Sequence, residues 1–110
     1  MSLITLEEAK NYLRVDTSDD DGLIGVLLAS ACRLCADVAR LSDEQWAVVD
    51  GGEDEAGLYT EDELARIQEV MKVAVLYSLG YLYEHREEAD HYGLTLTLRS
   101  LLFAIREGVF

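Results

Sequence analysis

Cys32-Arg-Leu-Cys35 has the spacing of a redox or metal pair. A reactive pair of this kind sits at a helix N-terminus, where the dipole lowers a thiol pKa. Here the cysteines fall about three turns inside a predicted helix. A structural zinc site takes four ligands, and no second Cys pair exists to supply them. His85 and His91 are far away in sequence. The pair therefore reads as two small buried side chains. Asp16-Thr-Ser-Asp-Asp20 invites a calcium-loop reading. That pattern needs glycine at its sixth position and glutamate at its twelfth. Counted from Asp16, those positions hold Asp21 and Leu27. A helix start accounts for these acids better. Glu53, Asp54 and Glu55 fit a solvated loop better than a cation site. Glu84-His85-Arg86-Glu87 could form an acid–base cluster, but polar residues at a helix end are commonly solvated or paired. Tyr77, Tyr81 and Tyr83 suit a core or an interface. There is no nucleophile elbow, P-loop or dinucleotide fingerprint. These residues imply no enzyme, no metal and no cofactor.

The elements that carry these groups read as helices. Thr60 and Glu63 make a capping box, and Glu61, Asp62 and Glu63 suit the positive end of the helix dipole. The helix they open runs to about Ala89. Leu64, Ile67, Met71 and Ala74 recur on one face, and from Val70 to Tyr83 apolar residues spread nearly all the way round. Such a helix must be buried on every side, or covered on one side by another subunit.

Three further helices and a short one would wrap it. Thr5 and Glu8 form a capping box for a helix ending near Arg14, with Leu6, Ala9, Tyr12 and Leu13 inward. A second helix starts at Ser18 or Asp19, with Asp19, Asp20 and Asp21 in its first turn. It runs to about Leu41 and turns Leu23, Val26, Leu27, Ser30, Ala31, Leu34 and Val38 inward. Gly25 within it suggests a close helix crossing. Ser42 and Gln45 open a short helix through Val49, followed by an acidic loop. His91-Tyr92-Gly93 breaks the long helix. A last helix covers Thr97 to Glu107, with Leu98, Leu101, Leu102 and Ile105 inward. Gly108 closes it, and Val109 and Phe110 form an apolar tail.

The chain has 110 residues, half of them hydrophobic, and no proline. That is room for one domain, residues 1–110, around one core. No segment alternates like a strand, so the fold class is all-α: a small bundle of four to five helices around one long central helix. Nine basic residues against 22 acidic ones give a net charge of −13. This excludes a chain that grips nucleic acid by its phosphates, or one that binds an anionic membrane. Nine acids and no base lie between Ser42 and Glu63. The N-terminus lacks a signal-peptide layout. The uncharged run Val73–Tyr83 is shorter than the roughly 20 residues of a membrane span. A soluble protein made in the cytoplasm is expected.

Ile4 to Asp16 with Asp19 to Ile24, Tyr81 to Glu87, and Leu98 to Arg106 are three stretches that together resemble the head–tail connector (adaptor) proteins of long-tailed bacteriophages. Ile4-Thr-Leu-Glu-Glu-Ala-Lys-Asn-Tyr-Leu-Arg-Val-Asp16, followed by Asp19-Asp-Asp-Gly-Leu-Ile24, resembles their opening. Tyr81-Leu-Tyr-Glu-His-Arg-Glu87 resembles the segment ending their central helix. Leu98-Arg-Ser-Leu-Leu-Phe-Ala-Ile-Arg106 resembles their last helix. Members usually carry prolines before the central and last helices, and this chain has none. The resemblance implies a structural protein of a phage or prophage, located in the virion neck. About a dozen copies would form a ring under the portal, continue the DNA channel and dock a head-closure or tail-completion protein. DNA would pass without specific binding. Tyr81, Tyr83, Arg86, Leu101 and Leu102 are then the expected subunit or portal interface. Asp19, Asp20, Asp21, Glu53, Asp54 and Glu55 are the expected channel-facing acids. A different class of function, a non-viral helical adaptor binding a bacterial partner through the long helix, fits the same residues.

Overall fold

The computed structural model of the chain describes residues 2–85 and 92–108. Among them are six helices and no strand: α1 (Leu6–Leu13), α2 (Asp21–Val38), α3 (Asp43–Val49), α4 (Glu61–Glu84), α5 (Tyr92–Leu101) and α6 (Phe103–Arg106). The fold is an all-α bundle. The 24 residues of α4 span about 36 Å at 1.5 Å per residue, close to the longest dimension of 40 Å.

All three predicted capping boxes form. The Thr5, Ser42 and Thr60 hydroxyls accept from the backbone N–H of Glu8, Gln45 and Glu63, whose side chains reach back to the capping backbone. Each cap is worth about 1 kcal/mol and fixes where its helix begins. α1 ends at Arg14, which takes a left-handed conformation with φ 60°. α2 ends at Val38, before the expected Leu41, because Arg40 also turns left-handed, at φ 58°. Gly108 closes the last helix at φ 71°.

α4 is the centre of the core. Its face Ile67, Met71, Ala74, Val75, Ser78 and Leu79 is fully enclosed, and its most extensive partner is α2. Where these helices meet, the Cys35 thiol lies 3.3 Å from the Ser78 hydroxyl. That hydroxyl donates to the Ala74 carbonyl at 2.8 Å, so the thiol donates to Ser78. The buried hydroxyl is thereby satisfied on both counts.

The structure corrects several expectations. α2 begins at Asp21, so only Asp21 stands in its first turn. Asp20 is the N-cap residue but makes no side-chain cap bond, because its carboxylate accepts from Tyr83 instead. The inner face of α2 is Ile24, Ala31, Cys35 and Ala36. Leu23 and Val26, expected inside, face out, and Val26 is 65% exposed. Gly25 makes no close crossing within the subunit: nothing lies within 4 Å of where a Cβ would stand. The close approach is at Gly80, whose added Cβ would lie 3.2 Å from the Tyr12 ring. The expected last helix starts five residues early and breaks at Leu102 into α5 and α6. Its buried stripe is Leu94, Leu98, Leu102 and Ile105. Val109 and Phe110 lie outside the described residues.

Candidate interaction surfaces

The Cys32–Cys35 pair is chemically quiet. Burial pushes the Cys32 thiol up to about 12, with Asp50 and Cys35 adding to the shift. Burial likewise raises Cys35 to about 11. A thiol that stays protonated is a poor nucleophile and a poor ligand. Among the described residues no three His, Cys, Asp or Glu side chains gather as a metal site requires. Nor is any helix there long and apolar enough to cross a membrane. Arg86, Glu87 and His91 lie outside the described residues, so the polar cluster is represented by Glu84 and His85 alone. The ring of His85 rests on that of Tyr81, with centroids 4.3 Å apart.

Tyrosines gather where α1 meets the C-terminal half of α4. Tyr12, Tyr77, Tyr81 and Tyr83, with Arg14 and Gly80, line an open groove of about 490 Å³. Gly80 makes this possible, since its missing side chain lets the Tyr12 ring lie against the helix. Tyr83 is held in place by its hydrogen bond to Asp20 at 3.0 Å. Beside it, the Lys10 ammonium pairs with Asp21 at 2.8 Å. Two of the expected channel acids thus tie α2 to its neighbours inside the subunit.

The acidic loop shows a similar division of labour. Asp54 folds back and accepts from the backbone N–H groups of Leu58 and Tyr59 at 2.7 and 2.9 Å. These bonds, with a further one from Gly57, hold its carboxyl below the usual aspartate range. Glu53 and Glu55 on either side are exposed, as is Asp19.

Leu102 is enclosed in the subunit core, so of the expected leucine pair only Leu101 reaches the surface. Leu101 borders a second groove of about 370 Å³ with Glu69, Val70 and Val73 of α4. Apolar surface is exposed here. Val70, Val73 and Tyr77 form a stripe on the outer face of α4, with Val73 59% and Tyr77 42% exposed. A second outer stripe, Leu23 and Val26, stands on α2. From the sequence, Leu23 and Val26 are expected inside, and Val70, Val73 and Tyr77 only as part of the apolar spread around the long helix. The only signal for them there is that both helices are apolar nearly all round.

A model of the phage gp6-like head–tail connector proteins matches residues 3–107. No curated protein and no solved structure matches the chain. The match takes in all six helices. The chain therefore belongs to the phage gp6-like head–tail connector family, structural proteins that join the head of a phage to its tail.

Proposed function

We propose that this chain is the repeating subunit of a ring in the phage neck, seated under the portal protein and presenting its other side to a head-closure or tail-completion protein. The observation that carries this reading is the outer stripe of α4. Val70, Val73 and Tyr77, with Leu101 beside them, leave an apolar flank on the longest helix after the subunit core is complete. Flanks of this kind mark protein interaction sites. A ring covers them by a head-to-tail contact, in which two different patches of the same chain meet.

The charge supports a channel wall. Duplex DNA carries about one negative charge per 1.7 Å of axis, and a negative lining repels it and lets it slide. Asp19, Glu53 and Glu55 are exposed and are the acids best suited to face the lumen. Asp20, Asp21 and Asp54 already hold the subunit together. Tyr81 and Tyr83 stand near the end of α4 and suit contact with the portal or a neighbouring copy. The test is to mix the purified chain with purified portal ring and measure the mass of the complex. A fixed number of copies per ring is expected. Absence of binding would refute the reading.

A further inference from the structure

We propose that, in the ring, the outer face of α5 and α6 of one copy docks on the acidic segment that opens α4 of the next. This rests on the ring reading above and names two surfaces that meet. Tyr92, Leu96, Arg99 and Phe103 follow one another at intervals of four, three and four residues. That spacing keeps them on one side of a helix, away from the buried Leu94, Leu98 and Leu102. Tyr92 is 67%, Leu96 45% and Phe103 58% exposed. Aromatic side chains and arginine are the types enriched where proteins meet.

Charge selects the occupant. Between Tyr92 and Arg106 the only charged residues are Arg99 and Arg106, both basic, in a chain of net charge −13. Neither makes an ion pair among the described residues. An exposed apolar face with only positive charge fits a surface with only negative charge, and another copy of the chain offers one. From Ser42 to Glu63 there are nine acids and no base. Some of these acids are engaged inside the subunit. Asp43 pairs with Arg33, Asp50 accepts from the Leu3 backbone, Asp54 holds the loop and Glu63 completes a capping box. Glu61 and Asp62 are exposed and make no ion pair among the described residues. Just before them, Leu58 is the large hydrophobic that this stretch exposes. The bonds to Asp54 and the Thr60 cap fix the backbone from Leu58 to Glu63, so this surface is formed before anything binds. Once docked, Arg99 faces Glu61 and Asp62, and Leu96 and Phe103 close over Leu58. Glu53 and Glu55 stay available to the lumen. The two surfaces are different patches of one chain, which is what a head-to-tail contact joins.

The experiment is sedimentation equilibrium of the full chain up to millimolar concentration. The samples are the wild type, Arg99→Glu, Glu61→Arg with Asp62→Arg, and the triple variant that joins them. A control joins Arg99→Glu to Glu7→Arg and Asp19→Arg, which shift the net charge equally from elsewhere on the surface. All these positions are exposed, and circular dichroism verifies folding. The wild type is expected to self-associate. Arg99→Glu and the Glu61→Arg, Asp62→Arg variant should each associate at least about tenfold more weakly. The triple variant should recover, because the two signs are exchanged across the contact, and the control should not. Arg99→Glu that associates as the wild type does would overturn the pairing. So would a triple variant that recovers no better than the control, or a wild type that stays monomeric throughout. Arg99→Glu that loses only portal binding would assign this face to portal and overturn it too. Mass measurement of the wild type on portal judges the ring reading separately.

Discussion

Tyr83, near the end of α4, donates its hydroxyl hydrogen bond to Asp20, just before α2, across 3.0 Å and 63 residues of sequence. The contact joins an expected interface residue to an expected channel acid, and it lies inside one subunit. Replacing Tyr83 with alanine would therefore disturb the α2–α4 join as well as any outer contact. Tyr83→Phe separates the two effects, since it keeps the ring and removes only the hydroxyl. It should lower stability by about 1 kcal/mol, measured by urea unfolding. Adding it to Asp20→Ala should cost less than the sum of the two single changes. Full additivity would mean that the bond does not form in solution.

The Glu8–Lys72 pair predicts an acid-side loss of stability. The Lys72 ammonium lies 2.8 Å from the Glu8 carboxylate. That hydrogen bond, followed by one from the Thr5 backbone, lowers the Glu8 pKa. A lowered carboxylate contributes stability that is complete above its unfolded pKa and is lost as pH falls through its folded one. Thermal unfolding of the wild type and of Lys72→Met should differ at neutral pH and converge below the ordinary glutamate range. Both groups are about 40% exposed, so the difference is small and salt should shrink it. Carboxyl NMR should place the Glu8 midpoint below the usual range in the wild type and closer to it in Lys72→Met.

The thiols predict slow chemistry. With Cys32 pushed up to about 12 and Cys35 to about 11, almost no thiolate is present at neutral pH. Native protein should react with Ellman's reagent at least about tenfold more slowly than the unfolded chain. Urea should accelerate the reaction in step with unfolding. Fast reaction of the folded protein would show that the pair is accessible, and the core reading of Cys35 would fail.

How much of this was legible in the sequence depended on whether the signal was local. The capping boxes at Thr5, Ser42 and Thr60 involve residues three apart, and each marked its helix start correctly. The inner face of α2 was misread for a physical reason. Leu23, Val26 and Ser30 follow the same periodicity as Ile24, Ala31 and Cys35, and only the partner helix decides which stripe is buried. Leu101 was likewise placed on the inner face of the last helix, whereas Leu94, ahead of the expected start at Thr97, fills that face. The Tyr83–Asp20 bond and the Gly80–Tyr12 contact are tertiary, and nothing in the spacing of those residues announces them.

Two helical glycines give the sharpest contrast. At Gly80 an added Cβ would lie 3.2 Å from Cε2 of Tyr12. The Tyr12 ring is half exposed and can swing away by a few tenths of an ångström. Gly80→Ala should therefore be nearly neutral, as the gain in helix propensity of about 1 kcal/mol is offset by the displaced ring. At Gly25 nothing lies within 4 Å, so Gly25→Ala should stabilise the isolated subunit by roughly 0.5–1 kcal/mol. Urea unfolding of dilute monomer reads both values. A larger side chain separates folding from assembly. Gly25→Leu should leave the subunit as stable as Gly25→Ala, because leucine is also a strong helix former with open space around it. If a neighbouring subunit covers this face of α2 in the ring, the same leucine should lower the number of copies that bind each portal ring. A Gly25→Leu protein that folds well and binds portal in the wild-type number of copies would place the glycine outside any contact between copies.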